Sequence, residues 1–121
     1  MDIKQTIKKN KRLFLKEWFT ATINTYPQDS ARVLGKDSNR FDNPVGAVTR
    51  ESLEDVLDLI SGKYTETTLE KALDPVIRIR AVQAFDASDA VSFIFALKKI
   101  GEEFFDESQL RQFDHMVDHI A

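Results

Sequence analysis

The sequence contains no cysteine, which excludes disulfide bonds, thiolate zinc sites, iron–sulfur ligation and a cysteine nucleophile. It also contains no long apolar run. Its most apolar segment, residues 90–97, is interrupted by Ser92 and is far shorter than the ~18 consecutive apolar residues of a membrane-spanning helix. The first residues, Met-Asp-Ile-Lys, lack the apolar core of a secretory signal. We therefore expect no membrane span and a cytoplasmic location.

An excess of positive charge is absent too. The chain has 17 lysines and arginines against 20 acidic residues, a formal charge of −3. This argues against nucleic-acid binding, because phosphate contacts need a basic surface. The four glycines stand apart from one another, so there is no phosphate-binding glycine-rich loop. No serine or histidine has the sequence context of a catalytic triad. We expect neither an enzyme nor a cofactor.

The charges that are present are unevenly distributed. Residues 1–16 carry six basic residues against one acid, whereas residues 101–121 carry six acids against one base. Opposite charge predicts that the two ends lie near each other, within one chain or across a dimer. The alternative is that both are solvated helix faces.

The apolar residues recur at helical spacing, which predicts an all-α bundle of five to seven helices in one domain, residues 1–121. Ile3, Ile7, Phe14 and Trp18, for example, form one stripe of the first helix. The predicted helices cover residues 3–25, 27–34, 44–61, 67–84, 90–104 and 108–120.

Capping residues and prolines set the predicted helix ends. Asn43 should cap a helix whose first residue is Pro44, and residues 67–70 (TTLE) fit a capping box for the next helix. Pro75 either kinks that helix or begins a second segment capped by Asp74. Residues 76–82 (VIRIRAV) alternate like a strand, but their position between two helices and without a partner strand favours a helix.

The helix over residues 90–104 carries apolar groups on nearly every face, so it should be the central and most buried helix. Phe93 and Phe95 are both expected in the core. Asp86 or Ser88 should cap this helix.

Two histidines, His115 and His119, stand at i and i+4 and can share one face of the last helix. A metal site usually needs a third ligand and a buried setting. The pair is close to the end of the chain and opposite the apolar stripe of its helix. Exposed histidines without a metal are therefore the favoured interpretation, and metal binding is the alternative.

A group of polar residues near residues 36–46 is the main candidate site. Arginines flanked by apolar residues are costly to desolvate unless a carboxylate or carbonyl meets them. One interpretation is that Arg80 braces the 36–46 loop through its carbonyls or Asp42. The other is a binding site for an anion, a small ligand or a partner, formed by Arg40, Asn43, Arg78, Arg80 and Gln83.

Several segments together carry a family resemblance. They are Trp18, Tyr26-Pro27, residues 40–46 (RFDNPVG), residues 78–85 (RIRAVQAF), Ser88, Ala90-Val91, Phe93 and Leu97-Lys98. Over about residues 10–100 the sequence resembles the RsbRD N-terminal domain family, the sensor domain of stressosome proteins.

The resemblance implies a globin-like helical sensor domain without haem, of the kind that precedes a STAS domain. The 121 residues leave no room for a STAS domain, so we expect the sensor half alone. The expected function is sensory or regulatory and acts through protein–protein contact, with a homodimer and a regulatory protein partner. The signal would be a small ligand or a redox-linked cue. The alternative is a small-ligand, anion or metal-binding protein that uses the 36–46 loop or the histidine pair.

Overall fold

The computed structural model describes residues 2–26, 43–83 and 87–120. Within these ranges it contains six helices and no strand, which confirms the all-α prediction. The helices are α1 (Ile3–Lys9), α2 (Lys11–Ile23), α3 (Pro44–Ile60), α4 (Glu66–Val82), α5 (Ala87–Gly101) and α6 (Glu107–Ile120). No helix in these ranges is long and apolar enough to cross a membrane.

The first predicted helix is divided in two. Asn10 stands between α1 and α2 with φ −109° and ψ 16°, outside helical geometry. Its side-chain amide donates to the carbonyl of Thr6 at 2.9 Å. Asparagine side chains compete in this way with the backbone bonds of a helix, so the prediction of one continuous helix over residues 3–25 was wrong.

The ends of α3 agree with the prediction. The side chain of Asn43 accepts from the backbone of Gly46 at 3.1 Å, Pro44 is the first helical residue, and Ser61 is the C-cap. The start of α4 differs, because the capping box is formed by Thr65 and Thr68 and the helix begins at Glu66, one residue before the predicted residue 67. Pro75 lies inside one helix, and residues 76–82 are helical. The predicted helix over residues 27–34 and the cap at Asp86 lie outside the described residues. Ser88 lies inside α5, which begins at Ala87 and ends at Gly101, so the prediction of Ser88 as the cap and of a helix over residues 90–104 was wrong by about one turn.

The core forms where the helices pack in pairs. α2 lies against both α3 and α5, α3 packs on α4, and α5 packs on α6; α1 contacts α2, α3 and α6. The most deeply buried apolar side chains, at 0% exposure, are Ile7, Phe14, Trp18, Leu53, Val56, Leu57, Ile60, Phe93, Leu97, Phe113 and Val117. Trp18 also donates its indole N–H to the carbonyl of Phe93 at 2.7 Å, which joins α2 to α5 inside the core.

Phe95 is an exception on α5. Phe93 is fully buried, as expected, but Phe95 remains 44% exposed, so its assignment to the core was wrong. Residues 93, 94 and 97 face the core and residue 95 lies on the other side of the helix. The ammonium of Lys98, 5.6 Å from the ring centroid, covers part of its face.

The charged ends are near each other, because α1 contacts α6. The ion pairs of Lys11 and Asp118, which both lie in the described part of the chain, nevertheless join other helices. Lys11 contacts Asp58 at 2.8 Å and Glu54 at 3.3 Å, both on α3, while Asp118 contacts Lys98 of α5 at 2.5 Å. Opposite net charge therefore predicted the proximity of the ends but not the pairs that form.

Candidate functional site

A buried arginine occupies the last turn of α4. Arg80 is 1% exposed, and its guanidinium donates to the hydroxyl of Thr25, just beyond α2, at 3.0 Å. The hydroxyl of Thr25 donates in turn to the carbonyl of Thr22 at 2.6 Å, so its oxygen is oriented to accept. The guanidinium also lies 5.6 Å from the ring centroid of Tyr26 and 5.5 Å from that of Phe93. Aromatic faces of this kind stabilise a cation that has lost its water.

A second hydrogen bond also joins the end of α2 to the end of α4. The hydroxyl of Tyr26 donates to the side-chain oxygen of Gln83 at 2.7 Å. Burial raises the pKa of Tyr26, and the charge of Arg80 and a hydrogen bond with it only partly oppose this. The phenol is therefore a protonated donor at neutral pH. Thr25, Tyr26, Arg80, Gln83 and Phe93 together are called the arginine cluster below.

The other residues of the predicted site lie apart from this cluster or outside the described residues. Arg78 is exposed and pairs with Asp74, one turn earlier on α4, at 2.6 Å. Asn43 is buried, but its side chain caps α3. Arg40 and Asp42 are not among the described residues, so bracing of the 36–46 loop by Arg80 stays a prediction. The structure thus brings Arg80 and Gln83 together and separates Arg78 from them.

Sequence reasoning missed Thr25 and Tyr26 as members of this site. Tyr26 was used only as the residue that precedes a proline and ends the helix. The aromatic ring could have identified Tyr26 as a member of the site, because a tyrosine at a helix end commonly buries its ring and hydrogen-bonds its hydroxyl.

The two histidines face a second depression. Their ring centroids are 4.8 Å apart, with an angle of 57° between the rings. They line a groove of about 270 Å³, which also touches Met116 on α6 and Tyr64 and Glu66 at the start of α4. Among the described residues, no three histidine or carboxylate groups are placed to hold one metal ion.

A third depression lies between α2 and α5. This groove, of about 500 Å³, is lined by Glu17 and Lys16 of α2, by Lys99 of α5 and by Glu103. Burial and a hydrogen bond with Glu103 raise the pKa of Glu17, whereas the charge of Lys16 lowers it. One carboxylate oxygen of Glu17 is buried without a hydrogen-bond partner.

A comparison with protein families identifies the chain. The family model of the RsbT co-antagonist protein rsbRD N-terminal domain matches residues 14–120. The chain belongs to this family. No curated protein and no solved structure matches it significantly.

Membership defines the chain as a stressosome-type signalling domain. The match confirms the resemblance found in the sequence and extends it through α6. All five residues of the arginine cluster lie within the matched part of this RsbRD N-terminal domain, as do both histidines.

Proposed function

We propose that this RsbRD N-terminal domain is a non-catalytic sensory or regulatory domain that acts through protein–protein interaction. It works in the cytoplasm as one domain and as a homodimer that binds a regulatory protein. The observation that carries the proposal is the family match from residue 14 to residue 120. The globin-like arrangement of its helices is part of the proposal.

The arginine cluster is the proposed sensing element. It connects the end of α2 to the end of α4 and places both against Phe93 of α5. A ligand or partner that changes the hydrogen bonds of Arg80 therefore acts on three helices at once. The guanidinium of Arg80 is buried, and a buried charge that loses part of its hydrogen bonding is costly, so the cluster should have one well-defined arrangement. This supports a sensing element that changes between discrete states, in preference to one that adjusts gradually.

Two substitutions measure the contribution of Arg80 to folding. Arg80→Ala should lower the free energy of unfolding by about 1–3 kcal/mol, because it removes a fully buried side chain together with its hydrogen bond to Thr25. Arg78→Ala is the matched control on the same helix. It should change the free energy of unfolding by less than about 0.5 kcal/mol, because the Arg78–Asp74 pair is exposed. Urea titrations followed by circular dichroism measure both.

The proposed homodimer is tested by measuring its mass, and the proposed protein partner is tested by pull-down. Analytical ultracentrifugation should give twice the 13.9 kDa monomer mass. Pull-downs should recover a partner protein. The Arg80→Lys variant should bind that partner more weakly, because lysine keeps the charge but not the guanidinium fork. A strict monomer that captures no protein contradicts the proposal. Equal capture of the partner by the parent chain and by Arg80→Lys would show that the arginine cluster takes no part in partner binding.

Small-ligand binding is the second candidate function, and the grooves of about 270 and 500 Å³ favour it. Thermal-shift measurements against anions, divalent metals and haem distinguish it from a purely protein-binding role. A ligand that binds only the folded state raises the melting temperature with its concentration.

A further inference from the structure

The groove lined by His115 and His119 contains two imidazoles close enough to share one metal ion, a possibility that the sequence spacing alone left open. His115 and His119 are both exposed, so their ring nitrogens are accessible from solvent. The two rings lie on one face of α6, with centroids 4.8 Å apart.

This separation fits two imidazoles on one metal ion. A zinc–nitrogen distance of about 2.0–2.1 Å, extended by the ~1.1 Å from nitrogen to ring centre, places each centroid about 3.2 Å from a shared ion. Centroids 4.8 Å apart then subtend about 100° at that ion. The angle falls between the octahedral value of about 90° and the tetrahedral value of about 109°.

The surroundings favour a cation. Glu66, in the first turn of α4, lines the same groove and supplies negative charge. Asp118, although adjacent to His119 in sequence, is paired with Lys98. The two imidazoles are thus the nitrogen donors, and solvent fills the remaining coordination positions.

We propose that His115 and His119 chelate a divalent transition metal at the surface groove between α6 and the start of α4. Imidazole donors suit Zn²⁺, Ni²⁺ and Cu²⁺, and Cu²⁺ binds most tightly in the usual order of affinities. The metal links residues one turn apart, so its binding holds the last turns of α6 in helical form. The site stands independently of the signalling function.

The test is a titration of the full chain, freed of any histidine tag, with Zn²⁺ and with Cu²⁺. Isothermal calorimetry should show one ion bound per chain, and the melting temperature should rise with metal concentration. His115→Ala and His119→Ala should each weaken metal binding at least tenfold. Loss of a residue that only supports a metal ligand already lowers metal affinity by about 10–100-fold, and these variants remove the ligand itself.

Matched variants control for the surface and the charge. Gln112→Ala alters an exposed amide in the same groove and should leave the affinity unchanged. Glu66→Gln should weaken binding less than either histidine variant, because Glu66 contributes charge and not a ligand bond. The proposal is overturned if the untagged chain binds neither metal at millimolar concentration. It is equally overturned if the double alanine variant binds as tightly as the parent chain.

Discussion

At the scale of single residues, Gly101 is a position at which packing leaves no room for a side chain. A Cβ atom built there would lie 2.8 Å from Cδ2 of Phe113 and 3.3 Å from Cδ2 of Phe105. Phe113 is fully buried and Phe105 lies beside it, with ring centroids 4.7 Å apart, so neither ring has free space to move into. A side chain at residue 101 would therefore displace two core rings.

Gly101→Ala should consequently lower the free energy of unfolding by about 1–3 kcal/mol, the usual cost of overpacking a core. This is opposite in sign to the gain of about 0.5–1 kcal/mol that alanine normally brings over glycine in a helix. Urea denaturation measures it. Adding Phe113→Leu to the variant should recover part of the loss, because a smaller side chain relieves the contact. A more stable Gly101→Ala protein would contradict the packing described.

Residue identity predicted the arginine cluster only in part. Arg80 could be singled out because a guanidinium among apolar neighbours needs a partner. Its partner Thr25 could not, because the two are 55 positions apart and nothing local to either records how the ends of α2 and α4 meet. Arg78 shares the same apolar surroundings in sequence, yet it faces solvent, because the helix rotates it away from Arg80.

At the scale of elements, Pro75 is the feature of α4 that costs the most. Proline has no backbone N–H, so a helical residue at this position cannot donate to the carbonyl one turn earlier, and its ring crowds that carbonyl. The helix nevertheless continues from Glu66 to Val82. Leu73 and Val76, on either side of the proline, are buried, and their packing keeps the helix continuous.

Pro75→Ala should therefore raise the free energy of unfolding by about 1–3 kcal/mol, since a helix-interior proline costs about 3 kcal/mol and part of this is offset by its stiffening of the unfolded chain. Thermal and urea unfolding provide the measurement. Glu70→Ala, at another exposed position of α4, is the control and should change stability by less than about 0.5 kcal/mol. A destabilised Pro75→Ala protein would show instead that the packing of α4 requires proline at this position.

Helix existence could be predicted more completely than helix boundaries. Periodicity predicted all the described helical segments, although it joined α1 and α2 into one helix. Asn43-Pro44 gave the start of α3, because cap and proline are local signals. Thr65 and Thr67 offer similar hydroxyls, and the choice between them depends on which one places Leu69 and Leu73 against the core. The interruption at Asn10 was missed because the apolar stripe continues across it.

At the scale of the whole molecule, Glu17 and Glu103 couple the docking of α2 on α5 to pH. The folded state raises the pKa of Glu17, first by burial and then through the hydrogen bond with Glu103. The folded chain therefore binds this proton more tightly than the unfolded chain does. The resulting stabilisation is fully present below the unfolded pKa of Glu17, near its reference value of 4.5, and is lost as pH rises through the raised pKa.

Glu17→Gln should accordingly stabilise the protein relative to the parent chain at neutral pH, because it keeps a neutral donor in the groove. The advantage should disappear as pH falls below the unfolded pKa of glutamic acid, where Glu17 is neutral in both states. Urea midpoints measured as a function of pH test this. Glu102→Gln, at an exposed neighbouring position, should follow the parent curve. Parallel curves for Glu17→Gln and the parent chain would refute the coupling.

The hydrogen bond from Trp18 to Phe93 gives the protein a built-in optical probe. Trp18 is the only tryptophan in the sequence, and its ring stacks on Phe93 with centroids 6.3 Å apart. The guanidinium of Arg80 also lies 5.5 Å from the centroid of the Phe93 ring. The emission of the single tryptophan therefore originates in contact with Phe93, a member of the arginine cluster. A rearrangement at the proposed sensing element can be followed in the unlabelled chain, in real time, by the wavelength and intensity of that emission.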